Sequence, residues 1–223
     1  MFLVGHAAWA YVISRSLASV LRVRINPYIV MLLGMVPDAD ILLQEYIRHR
    51  SLTHSIIFWS IIFIPFFIIY RKRSIPYFIA VIQHIMLGDV IVASTNVLWP
   101  WKYEMGMGFS LLSPLNIVME SIGLGLALLL IIKYDRVIIA RSRGNILGLV
   151  VILPLLGSML YLFTTNGLFF LDHIIGSSIN TKGMIIRGSQ DMIVVAMILH
   201  ASFSILLSVS ILQGMRALLT SMH

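Results

Sequence analysis

Four of the seven histidines, His6, His49, His54 and His84, fall in the first 84 residues, beside Asp38, Asp40 and Asp89 from only nine acidic residues. Imidazole and carboxylate are natural ligands of divalent cations, and the chain has no cysteine to offer a thiolate instead. Their surroundings make this grouping costly. The 223 residues are 59% hydrophobic and 11% charged, with a mean hydropathy of +0.97, so the solvent of the chain is largely lipid. An ionisable group at the bilayer centre costs about 2.5–3.5 kcal/mol on insertion scales. Several together need a compensating partner, and a divalent cation is one.

Local sequence suggests roles. In Gly34-Met35-Val36-Pro37-Asp38-Ala39-Asp40 the proline ends one helical run and can open another, leaving both aspartates near an N-terminus as ligands or as simple caps. In His49-Arg50-Ser51-Leu52-Thr53-His54-Ser55, Thr53 or Ser51 is placed to cap the next helix, with His54 in its first turn and His49 in the loop before it. Arg48 and Arg50 beside these histidines suit an anionic group, since arginine makes bidentate contacts to phosphate; headgroup pairing or snorkelling is their other reading. His84 and Asp89 stand five apart, about 140° around an ideal helix. A π-bulge, a distortion frequent at functional sites, or a break at Gly88 would bring them to one face. An interhelical hydrogen bond is the other role open to His84. Glu120, Asp172-His173 and His200 read as structural, with completion of a site as the alternative. Glu45 and Glu104 read as solvated.

The elements that must position these residues are apolar stretches of near-spanning length, about 20 residues each. Ser55 to Tyr70, Ile75 to Trp99, Leu111 to Ile132, Asn145 to Leu171 and Met192 to Leu212 are five such stretches. Phe2 to Val20 and Pro27 to Ile47 are weaker, the latter interrupted by Gly34 and Pro37. The expected fold class is all-α, a polytopic membrane bundle of about five to seven helices. Met1 leads into apolar residues without a charged segment or small-residue cleavage pattern, so a removable signal peptide is not expected. Eleven basic residues (Arg15, Arg22, Arg24, Arg71, Lys72, Arg73, Lys133, Arg136, Arg141, Arg143 and Arg216) can lie on one membrane face, against Arg48, Arg50, Lys102, Lys182 and Arg187 on the other. The positive-inside rule then predicts an extracytoplasmic N-terminus and site and a cytoplasmic C-terminus. Trp99, Trp101 and Tyr103 read as an interfacial aromatic belt. The net charge of +7 is spread over helix ends, not gathered in one stripe, so nucleic acid is not an expected partner. The chain reads as one integral membrane domain, with a site-bearing half over 1–100 and a mainly transmembrane scaffold over 101–223. Gly144 and Gly148 form a GxxxG spacing, which permits close helix approach or arises by chance.

HExxH, GxSxG, P-loop and CxxC motifs are all absent, which disfavours zincin proteases, serine hydrolases of the α/β type and nucleotide-driven pumps. The ordered set His6, Gly34 with Pro37-Asp38-Ala39-Asp40, His49-Arg50 with Thr53-His54-Ser55, and His84 with Asp89 and Val97-Leu98-Trp99-Pro100 resembles the membrane-bound metal-dependent hydrolases, the YdjM-like family labelled LexA-binding, inner membrane-associated hydrolase. That family looks distantly similar to zinc-dependent phospholipase C. The resemblance covers roughly the first 100 residues and implies His6, Asp38, His54, His84 and Asp89 as metal ligands. One spacing departs from the family, His84-x4-Asp89 in place of His-x3-Asp. The function expected is hydrolysis of phosphoesters or phospholipid headgroups by a water activated on one or two divalent metals, zinc foremost, with membrane lipids as the surrounding partners. Arg48 or Arg50 would neutralise developing charge, and either Asp40 or His49 would take the water's proton or orient a ligand. The alternative is a non-catalytic metal-binding or transport protein. Oligomeric state is not readable from the sequence.

Overall fold

The computed structural model describes residues 1–43, 49–92, 94–109 and 113–135, and beyond these only 157, 160, 198–203, 205 and 209. Glu45, Arg48, Gly144, Gly148, Asp172-His173, the basic residues from Arg136 onward and most of the last two apolar stretches lie outside the described residues. The chain divides into two compact units, Leu3–Ser110 with Met1, and Leu111–His223 with Phe2.

The first unit is built around α1 (Leu3–Leu21), which packs chiefly against α4 and then α2. Small side chains make this possible, since Ala7, Ala8, Ala10 and Ala18 are fully buried. α2 (Pro27–Leu33) starts with Pro27 in its first turn and Asn26 as cap, whose side chain accepts from the Tyr28 and Ile29 amides. It ends at Gly34, where a Cβ would lie 2.4 Å from that of Ala10 and 2.9 Å from the His6 carbonyl oxygen. Only glycine permits this approach. Beyond it the chain tightens into a 3-10 helix, Val36–Leu43, with Asp38 in its first turn. The second weak stretch is thus not a continuous helix but is broken at the glycine.

A 3-10 turn, Leu52–His54, leads into α3 (Ile56–Tyr70). Ser55 caps α3 by accepting from the Phe58 amide at 3.4 Å, so neither Thr53 nor Ser51 is the cap, and His54 precedes the helix rather than entering its first turn. Much of α3, including Ile61, Ile64, Phe67, Ile68 and Ile69, is exposed and apolar, a surface suited to lipid. α4 (Ile75–Gln83) runs into a π-helical turn, His84–Asp89, and α5 (Val90–Val92). Together they form one helix of Ile75–Val92, apolar and long enough to cross a membrane. It stops short of Trp99. Instead β1 (Thr95–Asn96) pairs antiparallel with β2 (Glu104–Met105), Thr95 opposite Met105, a small exception to an otherwise helical fold. Trp99, Trp101 and Tyr103 lie exposed in the connection.

In the second unit α6 (Pro114–Leu130) is capped by Ser113 and continues as a π turn, Ile131–Asp135. Pro114–Asp135 is the second helix of spanning length among the described residues. Its buried positions Asn116, Ile117, Glu120, Gly123, Leu124 and Ala127 recur every three or four residues, the mark of a one-sided helix.

Candidate metal centre

Three segments of the first unit converge on one point. The 3-10 helix after Gly34 supplies Asp38, the turn before α3 supplies His54, and the π turn supplies both His84 and Asp89. The π geometry matters because a wider turn closes its hydrogen bond from i to i+5. It brings His84 and Asp89 to one side, although they would be about 140° apart on an α-helix. The Nε2 atoms of His54 and His84 stand 2.9 and 3.2 Å from Asp89 Oδ2, and 3.4 and 3.5 Å from Asp38 Oδ1. Each of the four residues offers one ligand atom, all within 4.8 Å of one another. His54, His84 and Asp89 are buried, and Asp38 is partly open.

Both imidazoles are anchored from behind. His84 Nδ1–H donates to the Gly34 carbonyl at 2.7 Å. For His54 the anchor is Thr53, whose hydroxyl has a single hydrogen and lies 2.6 Å from Asp40 Oδ2. That hydrogen goes to the carboxylate, so the Thr53 oxygen, 3.0 Å from His54 Nδ1, accepts from the ring. A carboxylate behind a histidine that fixes its tautomer is a recurring support of metal ligands. Each Nε2 is thereby left as the atom that faces Asp38 and Asp89.

Charge balance tests whether these residues fit a metal. Two carboxylates are neutralised by protons on both Nε2 atoms or by one divalent cation between neutral rings. The Nε2 atoms are only 3.4 Å apart, so two imidazolium rings would set like charges in contact. Asp89 Oδ2 is buried and lies 2.9 and 3.2 Å from the two Nε2 atoms, so it needs positive charge beside it. A divalent cation fits both facts. Burial resists charge on His54, but hydrogen bonds to Asp38 and Asp89 outweigh it and raise its pKa above the ordinary histidine value. Without a cation the carboxylates therefore hold a proton on that ring.

Asp40, His49 and His54 form a second group of possible ligands, but its contacts are already complementary. The Asp40 carboxylate accepts from His49 Nδ1 at 2.7 Å, from Thr53 and from the Arg50 amide at 3.3 Å. Arg50 takes up a left-handed conformation, with φ 62°. It is held there because its carbonyl also accepts from the Asn96 amide at 3.2 Å. Its Nε lies 3.7 Å from Asp89 Oδ1.

Of the five ligands the resemblance implied, Asp38, His54, His84 and Asp89 come together, and His6 stands beside them. Its ring stacks on that of His84, centroids 3.8 Å apart, with Nε2 4.0 Å from Asp38 Oδ2. Neither ring nitrogen has a hydrogen-bond partner, although both are buried. Gly88 makes room for this ring, since a Cβ there would lie 2.0 Å from His6 Cε1. Glu120 and His200 pair with each other at 3.2 Å within the second unit. Sequence reasoning missed the Thr53 relay, the Gly34 carbonyl and the steric role of Gly88. Thr53 was within reach of it, since its hydroxyl adjoins His54 in the sequence.

Comparison with known proteins bears on the whole assembly. The chain matches the model of the YdjM inner membrane protein family over residues 1–167 and belongs to that family. With two apolar helices of spanning length among the described residues, it is a membrane protein. No curated relative and no solved structure matches it.

Proposed function

We propose, with membership of the YdjM inner membrane protein family as premise, that the chain is a membrane-embedded, metal-dependent hydrolase of phosphoesters, phospholipid headgroups foremost. The observation that carries this reading is the convergence of two anchored imidazoles and two carboxylates beside the partly exposed His49 and Arg50. Asp38, His54, His84 and Asp89 would hold one divalent ion, with His6 available as a further ligand. Zinc is the foremost candidate, because it takes mixed imidazole and carboxylate sets. When bound, such an ion supplies an acidified water and a Lewis acid for a phosphoryl oxygen. The remaining work falls to the chain. His49 donates Nδ1–H to Asp40 and so keeps Nε2 to take a proton. Arg50 neutralises charge on the phosphate. Asp40, buried and supplied with three donors, orients the histidines on either side of it.

The finer membrane arrangement belongs to the same proposal: five to seven spans, an extracytoplasmic N-terminus and site, and a cytoplasmic C-terminus. The distribution of basic residues supports it. Single cysteines at Ser51 and Ser142 test it in intact cells; labelling of position 142 but not 51 by an impermeant thiol reagent would invert the orientation.

Catalysis is tested by hydrolysis in detergent of a phosphodiester and of phospholipids. Turnover should vanish with a chelator, and Arg50→Ala should lower turnover while metal content stays unchanged. A metal-replete preparation inert on phospholipids, phosphodiesters and carboxylic esters would remove the catalytic reading. A second reading then stands, because a closed set of four protein ligands also marks structural sites. On that reading chelation collapses the helices and no ester is turned over.

A further inference from the structure

A cavity of about 590 Å³ opens in the first unit among α2, α3 and α4, within the span of about 300–1,000 Å³ common to ligand sites. Its walls are apolar, formed by Leu33, Trp59, Ile62 and Phe66. Arg24, Arg73, Ser74 and Tyr77 line the opposite end, drawn together because the Asn26 amide donates to the Tyr77 hydroxyl at 2.9 Å. Arg24 and Arg73 are exposed. Neither forms an ion pair with any described residue.

We infer that this groove holds one intact anionic phospholipid, its acyl chain against Trp59 and Phe66 and its phosphate between Arg24 and Arg73. The two ends make unlike demands. A free phosphate would satisfy the arginines and leave the apolar walls open. A neutral lipid would fill the walls and leave two guanidinium groups unmatched, although arginine is suited to bidentate phosphate contact. An anionic amphiphile meets both, and the exposed apolar surface of α3 beside the groove opens onto the membrane that supplies one. This site is not the proposed catalytic one. His54 precedes α3 and Arg73 follows it, and its 15 residues at 1.5 Å each set the two about 22 Å apart along the helix. The inference therefore stands or falls independently of hydrolysis.

Native mass spectrometry of the full chain in detergent, with phosphatidylglycerol or phosphatidylcholine of identical acyl chains added, tests it. Wild type should retain one phosphatidylglycerol with a preference of roughly tenfold or more. The Arg24→Gln/Arg73→Gln variant should lose that preference. Arg71→Gln/Lys72→Gln removes the same charge from residues outside the cavity and should keep it. Ile62→Trp, which fills the apolar wall, should weaken retention of both lipids. Equal retention of the two lipids by wild type would overturn the inference. So would equal loss in the two charge variants, which would mean general surface attraction, or displacement of the lipid by soluble glycerol phosphate, which would mean a site for the anion alone.

Discussion

Among the described residues, two of the buried meetings of histidine with carboxylate balance charge differently. In the second unit Glu120 and His200 make a pair at 3.2 Å, one acid with one base, and a single proton between them neutralises both. In the first unit two carboxylates face two imidazoles whose Nε2 atoms are 3.4 Å apart, so full protonation would oppose like charges. One proton suffices for the charge of the pair, whereas the group of four calls for a cation at its centre. Number and convergence, more than residue type, separate a structural contact from a candidate metal site.

The sharpest break between the two regions should come from removing ligands. His84→Ala or Asp89→Asn should weaken zinc binding on the order of 100-fold or more, beyond the effect of losing a supporting residue, while Glu120→Gln leaves metal affinity unchanged. Equilibrium dialysis of the purified variants measures both. Equal losses in Glu120→Gln would erase the contrast. Thr53→Val comes next, since it removes the relay between His54 and Asp40. A fall in affinity of about 10–100-fold is expected, the usual cost of losing such a support. Gly88→Ala should act through packing, because its new Cβ would meet the His6 ring at 2.0 Å. A loss of stability of about 1–3 kcal/mol, typical of overpacking, should appear in thermal unfolding.

The smallest and most graded effect is that of pH. Asp38 and Asp89 raise the His54 pKa, so that proton is still bound at a pH where an ordinary histidine would have lost it. A metal must displace it. Affinity should therefore rise with pH and level off above the raised pKa, falling below it by up to about tenfold per pH unit for each proton displaced. Proton release on zinc addition in weak buffer checks the sign; uptake of protons would contradict it.

How much of this was legible in the sequence differs between fold and site. Apolar length marked the helix of Ile75–Val92, because lipid demands a long uninterrupted run. It overran the helix end, since Val97, Leu98 and Trp99 are as apolar in a turn as in a span. The break in the second stretch was readable from Gly34 and Pro37, whereas the closeness of Gly34 to Ala10 and His6 was not, being set by packing. The spacing of His84 and Asp89 pointed to a π turn or a break at Gly88, because an α-helix would have separated them, and a π turn is what the helix contains. Thr53 was read as a cap because capping is the commonest use of such a residue before a helix. A hydroxyl turned toward Asp40, 13 residues earlier, is a tertiary choice that no local pattern encodes.

The most direct measurement of the central claim is the metal content of purified, full-length protein, with helicity recorded in the same samples. Wild type should carry about one zinc-class ion per chain, as a four-ligand site does. Asp38→Ala and His54→Ala should each lose most of it while the helices remain. Unchanged metal content in both variants, or wild type that takes up no divalent ion when zinc is supplied, would contradict the assignment of these residues as ligands.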